Sequence, residues 1–319
     1  MTTSVRRVES FTVVVPAFNE GATLRTNIEA IRAYLSEAAG NSAWTILIVD
    51  DASTDHTREI SADLSREDAR IRTIRRSSNG GVDAAIRSGI EGVQTEAVVV
   101  LDADLSYQPP IIGALLEVLN REEAEVTVAS AYAPGGEVRD VPGGRAFLSR
   151  WANRFLAYAA HERVHTFTCI VRAYRTAALR VLLEHCPRGD TTYQLLFEAL
   201  RVGMRVEEIP ATLQWTPGRR SSMKPSAIVG RTWNVMGAAI HKRPSLALAL
   251  PGLIPGLLPL AIFLAVLFHA RPVVVGIVAS AMFAIQTASL VVFGFHSTNF
   301  AIGLLGRRSH ERHALRNIT

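Results

Sequence analysis

The sequence predicts an α/β fold with a mostly parallel sheet flanked by helices, followed by a C-terminal two-helix transmembrane hairpin. Three observations predict it. Short β-branched runs alternate with amphipathic stretches over residues 11–129, which is typical of βαβ units. Acidic clusters directly follow three of those runs. Residues 245–306 carry a single formal charge, Arg271, as expected for segments that span a bilayer.

Composition excludes several classes of protein. Hydrophobic residues make up 48% of the 319 residues, too many for a disordered protein. Two cysteines, Cys169 and Cys186, are too few for a disulfide scaffold. The net charge of +5 is small for a nucleic-acid binder, and no Lys/Arg run is interleaved with aromatic residues. We therefore expect no nucleic-acid partner.

Five strands and the helices between them are predicted in chain order. The strand-like segments are Phe11–Val15, Thr45–Val49, Ile71–Ile74, Ala97–Leu101 and Glu125–Ala129. Between the first two, the stretch Ala22–Leu35 spaces its apolar residues by three and four, which predicts a helix with one buried face. Parallel sheets bind ligands at the carboxyl ends of their strands. We therefore expect the functional site at that edge.

Polar clusters stand at those strand ends. PAFNE (16–20) follows the first strand, DDASTD (50–55) the second and DAD (102–104) the fourth. Acidic clusters that converge on one edge repel one another unless a cation is bound, and two carboxylates two residues apart suit a divalent ion. The alternative is ordinary helix capping by Ser53, Thr54 and Asp55. Capping does not account for a pair of adjacent aspartates followed by a second pair.

Four segments carry a family resemblance: VVVPAFNEGATL, ILIVDDASTDHT, NGGVDAAIRSGI and VVVLDADLSYQPP. In this order and spacing they resemble the donor half of a family 2 glycosyltransferase with the GT-A fold. With the C-terminal hairpin, the chain most resembles the polyprenyl- and dolichyl-phosphate sugar synthases. The resemblance implies inverting, metal-dependent transfer from a nucleotide sugar. A Rossmann dehydrogenase is excluded because no G-x-G-x-x-G follows the first strand.

The resemblance also implies roles for individual residues of the donor site. The nucleoside would contact Pro16, Phe18, Glu20, Val49 and Asp51. Asp102 and Asp104 would hold the diphosphate through Mg²⁺ or Mn²⁺, with Asp104 a catalytic residue, and Ala103 between them would contact the nucleotide sugar. The resemblance leaves UDP and GDP both open as the nucleotide, and it does not identify the sugar.

Two positions depart from the family pattern. The synthases have a glutamine two residues after the second aspartate, often as a metal ligand, where this chain has Ser106. Either Gln108 takes that role as a metal ligand or water does. The family also carries an arginine just before the aromatic that matches Tyr132, where this chain has Ala131. One phosphate contact is therefore missing from its usual position.

Phosphate-binding residues are expected in two further segments. Arg145, Ser149 and Asn153 are spaced by four and share one helix face, which taken alone is typical of a solvated face. The resemblance assigns them to the acceptor phosphate, with Arg145 catalytic. It also assigns Arg219, Arg220 and Lys224 in WTPGRRSSMK to the diphosphate. In HTFTCIVRAYR, Cys169 replaces a serine of a family strand and is expected to be packed.

The acceptor decides whether a general base is needed. Asp190 is a candidate base, and it is also suited to cap a helix. If the acceptor is a polyprenyl monophosphate no base is needed, because its second pKa is near 6 and it is already a nucleophile at neutral pH. Two alternatives stay open: a membrane-tethered transferase that acts on a hydroxyl of a lipid or glycan, and a non-catalytic subunit of a membrane complex.

The sequence divides into a cytosolic domain (1–224), an interfacial or linker helix (225–243), two membrane spans in 244–296 and a basic tail (297–319). The spans, 245–268 and 272–295, are long enough at about 36 Å each to cross a bilayer; a buried helix pair is the alternative. Basic residues flank both outer ends: Lys242, Arg243, Arg307, Arg308, Arg312 and Arg316. By the positive-inside rule, both termini and the catalytic domain face the cytosol.

Residues 1–10 lack the features of a signal peptide. We therefore expect a multi-pass protein of the plasma membrane, with polyprenol length and oligomeric state, a homo-oligomer included, left open.

Overall fold

The fold is known from a computed structural model, which describes residues 8–121, 124–160, 164–186 and 191–215. The strands are β1 (Ser10–Ala17), β2 (Ala43–Asp50), β3 (Ile71–Arg75), β4 (Ala97–Val100), β5 (Val126–Ser130), β6 (Glu137–Arg139), β7 (Arg172–Arg175), β8 (Val206–Pro210) and β9 (Thr212–Gln214). The helices are α1 (Leu24–Ala38), α2 (Thr57–Glu67), α3 (Val82–Glu91), α4 (Pro110–Arg121), α5 (Gly143–Ala160), α6 (Thr176–His185) and α7 (Thr191–Arg201).

Seven strands form one sheet in the order β3-β2-β1-β4-β7-β5-β8. All neighbours run parallel except β7, which is antiparallel to both β4 and β5. β6 and β9 form a separate parallel pair. Because β2, β1 and β4 are adjacent and parallel, the loops that follow them lie at the same edge of the sheet, as the sequence predicts.

The five predicted strands are confirmed as β1 to β5, each shifted at its ends by a few residues at most. The helix predicted in Ala22–Leu35 is α1, and its apolar residues Leu24, Ile28, Ile31 and Leu35 are at most 2% exposed. These side chains pack in the main core with β-branched residues of β1 and β2. Continuous apolar strands are buried on both faces, as expected for a parallel sheet covered by helices.

One glycine allows α3 to lie close against the sheet. A Cβ atom on Gly89 would lie 2.5 Å from Val14 Cγ1 and 3.0 Å from Val49 Cγ2. Real Cβ atoms essentially never approach so closely, so a larger residue would push α3 away from β1 and β2. The segment NGGVDAAIRSGI thus contributes a packing contact as well as a loop.

Of the helices in the described ranges, none combines the length and the apolarity that a bilayer crossing requires. The predicted spans at 245–268 and 272–295 lie outside those ranges, and so do the helix at 225–243 and the tail at 297–319.

Candidate active site

The loops after β1 and β2 are tied to each other by hydrogen bonds. Asn19 N–H donates to Ser53 Oγ at 3.0 Å, and Thr54 N–H donates to Asn19 Oδ1 at 2.9 Å. Glu20 N–H donates to Thr57 Oγ1 at 2.8 Å. Asn19 has a φ of 56°, a left-handed conformation that asparagine tolerates better than most residues. The PAFNE and DDASTD segments therefore hold each other in a fixed arrangement at the sheet edge.

Asp55 connects this pair of loops to α2. Its Oδ1 accepts the N–H of Thr57, the first residue of α2, at 3.0 Å, and its Oδ2 accepts the N–H of Gly21 at 2.9 Å. Partial burial raises the pKa of Asp55, but the hydrogen bonds from Thr57 and Gly21 outweigh it and the net pKa lies below its usual value. Asp55 thus contacts the helix start, as the capping alternative predicts, whereas Ser53 and Thr54 bind the β1 loop.

Asp50 is fully buried at the end of β2. Its Oδ2 accepts Arg75 Nη1 at 2.7 Å, and its Oδ1 accepts the N–H of Ser53 at 2.8 Å. A buried carboxylate needs such partners to remain charged. Asp50 therefore stabilises the conformation of the DDASTD loop through its hydrogen bond with the backbone of Ser53.

Asp51 is also buried, and its carboxylate binds the start of the next helix. It forms an ion pair with Arg76, and it accepts the N–H groups of Gly80 at 3.1 Å and Gly81 at 2.7 Å. Gly81 precedes α3 with a φ of 82°, a conformation that glycine adopts without strain. The residue that the resemblance assigns to the nucleoside thus also fixes the glycine loop before α3.

The other residues assigned to the nucleoside lie side by side. Pro16 pairs with Val49 in the register of β1 and β2, and Phe18 and Glu20 follow within four residues. Val49 and Pro16 are buried, so their side chains belong to the core, whereas Phe18 and Glu20 are half-buried. Phe18 and Glu20 are therefore the side chains of this group that reach the surface of the site.

The DAD loop follows β4 at the same edge. Asp102 and Asp104 are half-buried and flank the buried Ala103, whose carbonyl accepts Asn27 Nδ2 of α1 at 2.8 Å. Two carboxylates two residues apart supply the hard oxygen ligands that Mg²⁺ and Mn²⁺ take, and they leave coordination positions for phosphate oxygens. The donor set therefore fits the expected ion. In the described ranges, no group of three or more His, Cys, Asp or Glu side chains is arranged to hold a metal.

Of the two residues that follow the acidic pair, Ser106 contacts Asp104, whereas the Gln108 side chain bonds to a backbone carbonyl. The N–H and the hydroxyl of Ser106 both donate to Asp104 Oδ1, the N–H at 2.9 Å. Gln108 is exposed, and its Nε2 donates to the carbonyl of Leu105 at 3.3 Å. Leu105 has a φ of 53°, so the loop between them turns through a left-handed conformation. Ser106 orients the Asp104 carboxylate directly, a contact that the sequence did not predict.

Next to the acidic pair, Tyr107 of the DAD loop contacts Cys169 of the segment before β7. Burial raises the pKa of Tyr107, with contributions from Cys169, Asp102 and Tyr132. Burial and the nearby Asp102 raise the pKa of Cys169 to about 11, so this thiol stays protonated at neutral pH. The expectation that Cys169 is packed agrees with its half-buried position and its hydrogen bond with Tyr107.

On α5, the stripe of residues assigned to the acceptor phosphate includes a buried structural contact. Asn153 is 1% exposed, and its Oδ1 accepts the N–H groups of Phe167 at 2.7 Å and Thr168 at 3.0 Å. Its Nδ2 donates to the carbonyl of Ser149 and to Thr168 Oγ1. Asn153 therefore uses its hydrogen-bonding capacity to fasten α5 to residues 167 and 168. Arg145 lies in the first turn of this helix.

Two cavities accompany these residues. One, of about 770 Å³, lies between α1 and α4 and is lined by residues such as Val8, Leu35 and Ile112, at the sheet end opposite to the acidic loops. The other, of about 460 Å³, opens beside the carboxyl end of β5. It is lined by Ala131, Tyr132, Ala133, Gly136, Arg150, Arg154, Ala157, Val164 and His165. The second cavity was not predicted, although Arg150 and Arg154 are one helical turn apart on α5, a spacing visible in the sequence.

The remaining candidates lie outside the part of the chain that the structure describes. They are Asp190, the candidate base, and Arg219, Arg220 and Lys224, the candidates for the diphosphate.

Comparisons with known proteins agree with this geometry. The model of glycosyl transferase family 2 matches residues 12–183, more than half of the chain. A polyprenol monophosphomannose synthase of Mycolicibacterium smegmatis is 31% identical over 216 residues, covering 66% of this chain and 79% of that protein. An undecaprenyl-phosphate mannosyltransferase of Micrococcus luteus is 27% identical over 205 residues, covering 62% and 81%.

A solved structure shares the fold. Glucosyl-3-phosphoglycerate synthase from Mycobacterium tuberculosis, in complex with Mn²⁺, UDP and phosphoglyceric acid, superposes with a TM-score of 0.55 at 19% identity. The match covers 73% of this chain and 78% of that chain. It supports the GT-A type of α/β fold expected from the sequence. From the family match and the sequence relatives together, the chain belongs to glycosyl transferase family 2.

Proposed function

We propose that this chain transfers a sugar, with inversion, from a UDP- or GDP-linked donor to a polyprenyl monophosphate. One observation carries the proposal: the Asp102–Asp104 pair lies at the same sheet edge as the interlocked loops after β1 and β2. That arrangement provides a nucleoside surface beside a site for a divalent ion. Two sequence relatives named for transfer to polyprenol and undecaprenyl phosphate support the acceptor class.

The donor end of the reaction uses the acidic pair. Asp102 and Asp104 would hold Mg²⁺ or Mn²⁺, and Ser106 keeps the Asp104 carboxylate oriented. A divalent ion held by these two carboxylates would offset the negative charge that develops on the departing diphosphate. Phe18, Glu20 and Asp51 would contact the nucleoside, and Arg219, Arg220 and Lys224 would add charge on the diphosphate.

A phosphate acceptor must be oriented by the enzyme, but it does not have to be deprotonated by a general base. A phosphate monoester is largely dianionic at neutral pH, because its second pKa is near 6, so its oxygen can attack without a general base. The phosphate oxygen forms a bond to the anomeric carbon from the face opposite to the leaving group. The bond between that carbon and the diphosphate oxygen breaks, and its electron pair leaves with the nucleoside diphosphate. The family resemblance assigns the attacking phosphate to Arg145 of α5, and Arg150 and Arg154 on the other face of the same helix are the alternative.

The membrane arrangement completes the proposal. The catalytic domain, residues 1–224, would work at the cytosolic face, attached through the helix at 225–243 and the spans at 245–268 and 272–295. Both termini would then lie in the cytosol. Reporter tags at Met1 and Thr319 should both be reached by a protease added to the cytosolic side, and tags in opposite compartments would contradict the hairpin.

The decisive experiment is an acceptor and donor panel. Purified full-length chain is incubated with Mg²⁺ or Mn²⁺, radiolabelled UDP- and GDP-sugars, and either polyprenyl phosphate or the matching polyprenol. We expect a labelled lipid only with the phosphate, and Asp190→Asn should leave its formation largely intact. Transfer to the polyprenol that depends on Asp190 would favour the hydroxyl-acceptor alternative, and no transfer with any pair would favour a non-catalytic subunit.

A further inference from the structure

The 460 Å³ cavity beside β5 has a strongly cationic wall. Arg150 and Arg154 line it from consecutive turns of α5, a helix that carries three arginines and no acidic residue. In the described ranges, neither guanidinium forms an ion pair with a carboxylate, although ten arginine–carboxylate pairs occur there. The Arg150 guanidinium lies 5.7 Å from the centre of the Tyr132 ring. Two unpaired guanidinium groups facing one cavity form a site for an anion.

The opposite wall of the cavity is held rigidly. His165 Nδ1 lies 2.7 Å from Glu208 Oε2, and the same carboxylate accepts the N–H groups of His165 at 2.8 Å and Thr166 at 2.9 Å. Both carboxylate oxygens of Glu208 therefore accept hydrogen bonds from this segment. Asn153 fastens α5 to the residues that follow. The position of α5, which carries the two arginines, is thus fixed relative to this wall by the Asn153 hydrogen bonds.

The same helix exposes apolar side chains beside the arginines. Phe147 is 72% exposed, and Leu148 and Trp151 are each 44% exposed. Residues three and four apart are neighbours on a helix surface, so Trp151 adjoins both Phe147 and Arg154. An exposed apolar strip that ends at two cations matches a ligand with a phosphate head and an apolar tail.

The sheet register places this cavity and the acidic pair at the same edge of the sheet. Val100, Arg172 and Val128 lie in one row across β4, β7 and β5. Neighbouring strands are about 4.8 Å apart, so the backbones of Val100 and Val128 are separated by about 10 Å. The loop with Asp102 and Asp104 leaves β4, and the cavity residues Ala131 to Ala133 leave β5, at the same edge. The acidic pair and the cavity therefore open at the same sheet edge, with only β7 between their strands.

We propose that Arg150 and Arg154 bind the phosphate of a lipid-borne phosphate monoester, with its chain lying along Phe147 and Trp151. The proposal rests on the proposed function for the identity of that lipid as the sugar acceptor. It also gives a reason why Ala131 is tolerated: Arg150 brings a guanidinium from α5 to the Tyr132 ring, next to the position where a family arginine is missing.

The test is direct binding to the full-length chain in detergent, without nucleotide sugar. Farnesyl phosphate, farnesol and inorganic phosphate are titrated separately by calorimetry. Arg150→Ala and Arg154→Ala should each weaken farnesyl phosphate binding about ten- to a hundredfold, since each removes a charge-assisted hydrogen bond. Arg150→Lys and Arg154→Lys should recover only part of the loss, because an ammonium does not reproduce the guanidinium fork.

A matched control is Arg121→Ala, which removes an exposed arginine from α4 near the other cavity and should bind farnesyl phosphate like wild type. Binding of UDP or GDP should be unchanged in all of the arginine variants. Near wild-type binding in the double variant Arg150→Ala/Arg154→Ala would overturn the anion site. Equal affinity for inorganic phosphate and farnesyl phosphate would overturn the lipid part of the proposal.

Failure here is distinct from failure of the proposed function. Suppose that the wild-type chain glycosylates polyprenyl phosphate and the double variant still binds farnesyl phosphate. The proposed glycosyltransferase activity would then be supported, and the assignment of the phosphate to Arg150 and Arg154 would be wrong. A loss of binding in Arg145→Ala, with Arg150→Ala and Arg154→Ala unaffected, would move the phosphate to the other face of α5 and overturn the assignment.

Discussion

The donor half of the domain, residues 8–121, and the acceptor half, residues 124–215, place their charges in different ways. In the donor half the carboxylates stand at strand ends and are bound by backbone N–H groups of neighbouring loops, as Asp51 and Asp55 are. In the acceptor half two exposed arginines of one helix, Arg150 and Arg154 of α5, line a cavity and have no carboxylate partner within the described residues. In the donor half, hydrogen bonds within the protein already fix the carboxylates that surround the candidate site. In the acceptor half, by contrast, these two arginines and several apolar side chains of α5 are exposed to solvent.

Backbone conformation sharpens this contrast. Each of the three loops at the donor edge contains one non-glycine residue with a left-handed backbone: Asn19, Ala52 and Leu105, with φ of 56°, 58° and 53°. Such residues cost of order 1–3 kcal/mol each and persist only where the surrounding contacts enforce them. The three loops at the donor edge thus keep backbone conformations that lower the stability of the fold, and surrounding contacts hold them there. A fixed loop conformation suits a site that must orient a diphosphate.

The largest effect is expected from the donor edge. Asp104→Asn should lower turnover at least about a hundredfold, because the ion that neutralises the leaving diphosphate loses a charged ligand. The protein should still fold, since Asp104 is only half-buried. Turnover is measured with the active donor and polyprenyl phosphate over a range of Mg²⁺ and Mn²⁺ concentrations.

Asp63→Asn is the matched control for that variant, because Asp63 is an exposed carboxylate on α2 paired with Arg66. Its turnover should equal wild type. Full activity of Asp104→Asn in excess Mn²⁺ would contradict the assignment of Asp104 as a metal ligand of the donor site.

The second prediction concerns the residue that fixes α5. Asn153→Ala should lower the free energy of unfolding by about 2–4 kcal/mol, because the buried N–H of Phe167 and the partly buried N–H of Thr168 lose their acceptor. Asn120→Ala, which removes one hydrogen bond to Val8, should cost about 1 kcal/mol. Denaturant unfolding measures both. A stable Asn153→Ala protein with a raised acceptor KM would instead favour direct contact with the acceptor phosphate.

The smallest effect depends on pH. The folded-state pKa of Asp55 lies below its usual value, so its contribution to stability is present above the unfolded pKa of about 3.9 and is lost as pH falls through the folded pKa. Asp55→Asn should therefore be less stable than wild type at pH 6, with the difference shrinking below about pH 4. Unfolding curves at several pH values check this. A difference that stays constant down to pH 3 would show that the charge of Asp55 does not matter to the interlocked loops.

The sequence predicted more of the donor half than of the acceptor half. Strands β1 to β5 and the loops with Asp51, Asp102 and Asp104 were predictable, because β-branched runs and strand-end carboxylates are local signals. Asn153 was assigned to the acceptor phosphate, yet its side chain fastens α5 to residues 167 and 168, a contact between segments 14 residues apart. Ser106 as a partner of Asp104 and the cavity at Arg150 and Arg154 were also missed. Helical spacing shows which residues share a face, but tertiary packing decides which face turns inward.

The reversed strand β7 has a consequence for how the chain assembles during synthesis. β4, the run AVVV, pairs with β1 on one side and with β7 on the other, yet β7 ends about 75 residues later in the chain. A ribosome adds about 5–20 residues per second, so β4 is exposed at an open sheet edge for about 4–15 seconds before its neighbour emerges. An apolar edge of this kind can pair with other chains. Nascent chains truncated before Arg172 should therefore depend on chaperones far more than chains that extend past Arg175.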